Sequence, residues 1–346
     1  MLADDYRSLI GKRLLNNIYD TTGVLLIAKE TLLLESHIMK LANFKIRTDE
    51  VQAVDIDSSE APDLAPQPLH PRVKQAEKYL NDINSFVQHS GIVPIAEVED
   101  KVLPYIEETA KRYNLFQVFS ALKDKGDYRH QHCIGVAVVA TSLGQRLGLS
   151  KHEQTLLTTA ATLYDIGMVK LPSSILSKSG RLDSQEYAIM KQHTHFGYEL
   201  LQQSEADPRV ALVALQHHER EDGSGYPHGL KGDQIDKLSK IVALADVYVA
   251  LISERPYRSA VPSFEVIEEI HKQIILNRFD SVIGLTLLDM LLSRQIGCEV
   301  LLSNQRKGKI LLTNVNYPSR PLVVLDDQEF IDLQKIHNVH IEQIMG

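Results

Sequence analysis

Two cysteines in 346 residues, Cys133 and Cys298, are too few for a disulfide framework and too few for a structural zinc cluster. Basic side chains are outnumbered: 37 Lys and Arg against 45 Asp and Glu leave a formal charge of −8, which works against binding long nucleic acid by counterion release. A small anionic ligand held by a few local cations is compatible with that balance. The segment MLADDYRSLIGKR has no basic stretch leading into an apolar one, and nothing nearby approaches the about twenty apolar residues of a bilayer-crossing helix, so the expected location is the cytoplasm, away from the membrane. With 44% hydrophobic and 24% charged residues, the composition is that of an ordinary globular chain, long enough for two or three domains and at least one buried core. What the sequence has in excess is histidine: fourteen, several of them between 130 and 228.

The texture of the chain changes four times. Residues 1–58 read as a small α/β or β-rich module: GKRLLNNIYD, a TTG turn and VLLIAKE suggest a hairpin, followed by the amphipathic LLESHIMKLANF and a final VQAVDI strand. Residues 59–71 carry prolines at 62, 66, 68 and 71 and read as a linker. From 72 to 120 a helical connector is expected, with Val73, Ala76, Leu80, Ile83 and Phe86 recurring on one face for packing. Residues 121–292 keep helical periodicity, broken by Gly and Pro at 167–172, 180 and 223–229, and 293–346 turn to short β-like runs, IGCEVLLS, KGKILLT and RPLVVL. The expected fold class is mainly α, with small modules at both ends.

The densest chemical signal is QHHEREDGSGYP at 216–227. Adjacent histidines such as His217 and His218 are a weak sign alone, because neighbouring side chains on a helix diverge by about 100°. Other candidate ligands stand elsewhere: His132 in RHQHCIGVAVVA, Asp165 in LYDIGMVKLP, His193 in MKQHTHFGYELL and Asp246 in IVALADVYVAL. Asp165 and Asp246 each interrupt an apolar helical run, where an unpaired carboxylate is costly to bury. A cation accounts for both, and so do a helix cap or a buried salt bridge. Imidazole mixed with carboxylate suits iron, manganese or zinc.

The run from about 121 to 290 resembles the HD-GYP family, the HD-superfamily phosphohydrolases that hydrolyse cyclic di-GMP. Its HHExxDGSGYP element is matched without a gap at 217–227, and the flanking MKxHxxxG, ADVYxAL and RPYR segments match in order and spacing. The resemblance implies an α-helical bundle holding one or two divalent metal ions, iron or manganese, through His132, Asp165, His193, His217, His218 and Asp246. Asp165 would bridge the ions and serve as the catalytic carboxylate. His193, His217 and His218 would complete one centre, and His132 and Asp246 the other. Arg255 and Arg258 in RPYR would contact substrate phosphate, which suits the planar guanidinium fork. Tyr226 and Gly225 would line the substrate-binding loop, where Gly223 and Gly225 open backbone conformations denied to other residues and Tyr226 meets a guanine. The implied reaction is hydrolysis of cyclic di-GMP to pGpG or GMP; the implied associations are a homodimer and, through the GYP loop, diguanylate-cyclase domain proteins.

Three positions depart from the family pattern. Tyr164-Asp165 stands where an HD dipeptide is usual, and a phenol, with a reference pKa near 10, is a poor metal ligand at neutral pH, so the centre shared by His132 and Asp246 is expected to be weakened. Met168 replaces a lysine, with Lys170 two residues on, and Tyr128 replaces a glutamate that holds a third metal in some members. His130 and His195 each lie two residues from an expected ligand, roughly 200° around a helix, and are not expected to substitute. Three readings therefore stand: a phosphodiesterase of reduced activity, a cyclic-di-GMP receptor that does not cleave, or a protein-interaction module.

Overall fold

The computed structural model describes residues 69–112, 128–253 except 179, and 263–345 except 294, 327 and 337, with 115, 118 and scattered positions between 6 and 54. The chain divides into two compact units, one formed by 1–66 with 291–346 and the other by 67–290.

In the first unit β1 (Arg13–Leu14) pairs antiparallel with β4 (Ala53–Val54), and β2 (Ile18–Tyr19) pairs with β3 (Leu25–Ile27) as the hairpin pattern suggests. Leu14, Leu33, Ile38 and Leu41 form the fully buried centre of its core. The chain's last segment supplies β5 (Glu299–Leu302), β6 (Lys307–Leu312), β7 (Leu322–Leu325), β8 (Phe330–Asp332) and β9 (Ile341–Met345), an antiparallel sheet in the order β8-β7-β6-β5-β9. Alternation decides which face is covered: Val300, Leu302, Ile310, Val323 and Leu325 are buried while their neighbours are not.

The second unit is helical. α1 (Leu69–Ser90) starts inside the expected linker, with Pro71 in its first turn, where a missing N–H costs nothing because those groups have no intrahelical acceptor. Its inward face is Val73, Ala76, Leu80, Ile83 and Val87, whereas Phe86, expected on that face, is 51% exposed. From Ile83 a step of three reaches Phe86 and a step of four reaches Val87, and the packing seats Val87 inward. α2 (Ile95–Lys101) and α3 (Leu103–Arg112) follow. α4 (Tyr128–Arg146) is the central helix: from Ile134 to Gly144 every residue is buried, and it packs on α5 (Lys151–Leu163), on α3 and on α10 (Lys237–Ile252). Each buried Val or Leu there contributes about 1.5–3 kcal/mol, which is why a helix with no polar face is stable at this position.

A 3-10 turn (Ile166–Lys170) and the short α6 (Ser173–Leu176) lead into α7 (Ser184–Lys191), α8 (His193–Gln203) and α9 (Pro208–Gln216). α11 (Ser263–Ile275) and α12 (Ser281–Leu292) complete the unit. Starts are specified locally: Ser150 with Glu153, and Asp183 with Glu186, form capping boxes for α5 and α7, while Asp207 and Asp236 cap α9 and α10. Arg209 then bonds the Asp236 carboxylate at 2.9 Å, tying the start of α9 to that of α10. Among the described residues no helix is long and apolar enough to cross a membrane.

Candidate metal centre

α9 ends at Gln216, so His217 is its C-cap and His218 lies beyond the helix. The 100° divergence of helical neighbours does not apply there, and both rings turn to one side, with centroids 4.1 Å apart. His193, the first residue of α8, faces them. One ring nitrogen from each of His193, His217 and His218 lies within 4.8 Å of the others.

Hydrogen bonds fix the tautomers. His193 Nδ1 donates to the Met190 carbonyl at 2.7 Å, and His217 Nδ1 donates to the Ala214 carbonyl at 3.0 Å. A carbonyl only accepts, so both Nε2 atoms of the neutral rings carry lone pairs, and these face each other at 3.3 Å. Asp165 Oδ1 adds a third electron-rich atom, 3.4 Å from His193 Nε2 and 3.6 Å from His217 Nε2, and this buried oxygen has no hydrogen-bond partner among the described residues. Three acceptors converging without a proton between them repel unless a cation sits among them. The donor set therefore fits a divalent metal ion, with the Nδ1–H to carbonyl bonds holding the rings as outer partners do in metal sites.

Electrostatics point the same way. Burial holds His193 below the ordinary imidazole value, and burial together with the neighbouring His217 holds His218 well below it, so both rings stay neutral and able to ligate. For Asp165 burial pushes upward, but the neighbouring His217 and His193 imidazoles outweigh it and the carboxyl is lowered.

Asp165 reaches this position because the backbone does. It lies just past the end of α5, at the entry to the 3-10 turn, and not within a helix as the apolar run suggests. The turn packs so closely on α8 that a Cβ on Gly167 would stand 2.0 Å from the His193 carbonyl oxygen and 2.4 Å from the Gly197 nitrogen. Glycine at 167 is what lets the Asp165 and His193 segments meet, a requirement no spacing in the sequence reveals.

The other expected ligands form a separate group. His132 Nε2 donates directly to Asp246 Oδ1 at 2.8 Å, and the Tyr164 hydroxyl donates to the same oxygen at 3.2 Å. Burial raises the Asp246 carboxyl, yet His132 and the more distant His218 and His217 hold it far below the usual carboxylate range. Tyr164 is fully buried, its ring edge-on to His217 at 4.9 Å. Burial, then the charges of Asp246 and Asp165, push its phenol well above the ordinary value, so it acts as a donor. His130 Nε2 accepts from Asn84 Nδ2 at 2.9 Å, and His195 is exposed with its ring 5.5 Å from that of His228. Lys170 is exposed, its Nζ 3.9 Å from where a Cβ on Gly91 would stand. Arg255 and Arg258 lie outside the described residues.

The 219–230 loop closes the site. Glu219, buried and without a cation among the described residues, accepts the His228 N–H at 2.7 Å and the Leu230 N–H at 2.9 Å, so one carboxylate pins both ends of the turn. Gly223 uses a positive φ of 81°, as expected, but Gly225 is required for space: a Cβ there would lie 2.4 Å from the His218 carbonyl oxygen. Tyr226 stacks on His218 at 4.5 Å and 27°. The bracing role of Glu219 went unread in the sequence, although it sits inside the motif.

Residues 97–283, more than half of the chain, match the family model described as the HD domain. The cyclic di-GMP phosphodiesterase response regulator RpfG of Xanthomonas campestris pv. campestris is 48% identical over 124 residues, 35% of this chain and 33% of that protein. A cyclic di-GMP phosphodiesterase of Thermotoga maritima is 39% identical over 183 residues, 49% of this chain and 50% of that protein. The chain thus spans a third to a half of the length of these relatives. Among solved structures, an HDG"Y"P protein from Bdellovibrio bacteriovorus superposes with a TM-score of 0.52 over 82% of this chain and 96% of that one, at 17% identity, a likeness of fold. The extent of the family match, over the helices that bring His193, His217, His218 and Asp165 together, makes this chain a member of the HD-domain family.

Proposed function

We propose that the chain is an HD-GYP-type metal-dependent phosphodiesterase that hydrolyses cyclic di-GMP to pGpG or GMP, with activity reduced by Tyr164 and Met168. The observation that carries this is the convergence of the His193 and His217 Nε2 lone pairs on the unpartnered Asp165 Oδ1. Relatives named as cyclic di-GMP phosphodiesterases support the substrate class. A divalent ion, iron or manganese, supplies Lewis acidity toward a phosphoryl oxygen and acidifies water. The chain's own part is positional: neutral imidazoles locked by backbone carbonyls, Asp165 as the catalytic carboxylate, and Arg255 and Arg258 as phosphate contacts. In this reading Gly225 and Tyr226 shape the substrate side, and the protein works in the cytoplasm as a homodimer whose GYP loop meets diguanylate-cyclase domains.

Elemental analysis of anaerobically purified protein, with cyclic di-GMP hydrolysis assayed in added iron or manganese, tests the proposal. Metal bound in the wild type, with metal and turnover both lost in His217→Ala, is the expected result. A second reading, a receptor that binds without cleaving, is favoured by one observation: His132 and Asp246 satisfy each other directly, with the Tyr164 hydroxyl on the same oxygen. Binding of cyclic di-GMP without turnover in either metal would select it.

A further inference from the structure

The metal centre has a rim that neither its ligands nor the loop bracing uses. α7 ends at Lys191, two residues before His193, and Tyr187 stands one turn earlier on the same side of that helix. Lys191 Nζ lies 5.3 Å from the centroid of the Tyr187 ring and 5.7 Å from that of the Tyr226 ring, within reach of both π faces. The two rings meet edge to face at 6.3 Å and 76°, forming a corner with the ammonium inside it. Tyr226 in turn lies flat on His218, so a single ring separates the corner from the metal-binding histidines.

Nothing in the fold accounts for this corner. α7 buries none of its residues, and Tyr187 is 47% exposed, so its ring is not core. Among the described residues Lys191 has no carboxylate partner, and Glu186 on the same helix is committed to Lys178 and to the Asp183 cap. An exposed aromatic face beside a cation without an anion is a combination suited to a flat, acceptor-rich ring. Of the purines, guanine fits best. Its O6 and N7 present two acceptors on one edge, whereas adenine offers N7 beside an N6–H₂ donor, which an ammonium, having three donors and no acceptor, cannot satisfy.

We propose that Tyr187, Lys191 and Tyr226 form a guanine-binding shelf on the rim of the metal centre, with the exposed ring of Tyr187 as the stacking surface and Lys191 Nζ donating to the O6 and N7 edge. The shelf rests on the phosphodiesterase reading, since it takes one base of a cyclic dinucleotide whose phosphate is at the metal. Lys191 is then the residue that sets base preference, and Tyr187 contributes affinity without preference, because every base has a π face.

Calorimetric binding of cyclic di-GMP and cyclic di-AMP to the full chain in Mn²⁺ tests the assignment. The wild type is expected to favour cyclic di-GMP. Lys191→Met should reduce that preference by about tenfold while leaving cyclic di-AMP affinity nearly constant, the size of one good base-edge contact. Tyr187→Ala should weaken both ligands by about tenfold or more, with Tyr187→Phe restoring them. Both side chains sit on a helix that buries nothing, and a thermal melt verifies that each variant folds; Lys191→Gln provides a second test of preference. Unchanged affinities and preference in these variants, alongside wild-type binding that His217→Ala abolishes, would overturn the shelf and leave the metal-site reading standing. A wild type that binds neither dinucleotide would remove that reading, and the shelf with it.

Discussion

Tyr164 is fully buried, and its hydroxyl shares one oxygen of Asp246 with His132. A phenol held above its ordinary pKa keeps its proton and donates a hydrogen bond to that carboxylate, where an imidazole would present a lone pair to an ion. Restoring the imidazole is therefore expected to change metal content before anything else. Tyr164→His should raise bound iron or manganese by about one equivalent and speed cyclic di-GMP hydrolysis, as two ions clamp a phosphate better than one. Tyr164→Phe should leave the metal content alone and cost about 0.5–1.5 kcal/mol, the ordinary net value of a lost hydrogen bond. Equal metal in wild type and Tyr164→His, by elemental analysis, would count decisively against a weakened second centre. Gly167 makes the opposite kind of demand. With a Cβ 2.0 Å from the His193 carbonyl, Gly167→Ala must push the 3-10 turn off α8. Overpacking of this kind costs about 1–3 kcal/mol, and here it also withdraws Asp165 from the histidines, so lower thermal stability and lost metal are expected together.

At the scale of the element, the 219–230 loop has little core of its own and depends on the Glu219 carboxylate. Replacing it by an amide leaves one acceptor oxygen for two N–H donors and adds an NH₂ with no evident partner. Glu219→Gln should destabilise the loop by about 1–3 kcal/mol. Hydrogen exchange is expected to show the His228 and Leu230 amides losing protection while the amides of α4 keep theirs; protection unchanged at both would mean that the loop is held by other contacts. This element also marks where sequence reasoning stops. His217 and His218 are read off one contiguous motif, and His193 and Asp165 off the segments that carry the family resemblance, because those signals are local in the chain. The partners are different: that Glu219 bonds 228 and 230, that Gly167 abuts α8, and that Tyr187 shares a cation with Tyr226 all depend on how distant segments cross, which no periodicity encodes. Phe86 shows the same limit in miniature, since Phe86 and Val87 fit the apolar stripe of α1 almost equally well and only packing chooses Val87.

For the whole molecule, the same buried histidines couple folding to protons and, on the proposed reading, to metal. His193 and His218 have folded pKa values below the ordinary imidazole value, chiefly through burial. The sign follows from proton counting: above about pH 6.5 both folded and unfolded chains hold these rings neutral and nothing is gained or lost. Below it the unfolded chain takes up protons that the folded chain refuses, so metal-free stability falls as pH drops, until the depressed folded values are reached. On the proposed metal-site reading, a divalent ion binds only the neutral rings of the folded site, adding RT ln(1 + [L]/Kd), about 2.7 kcal/mol at a hundredfold excess over Kd, and this increment also shrinks on acidification because protons compete for the ligands. Thermal melts of the full chain between about pH 5.5 and 7.5, with and without Mn²⁺, should then show two curves that separate as pH rises. In His217→Ala the separation should vanish at every pH, since the remaining nitrogens no longer converge on Asp165. A metal-induced shift of undiminished size in that variant would place the stabilising ion elsewhere in the chain and detach the imidazole cluster from metal binding altogether.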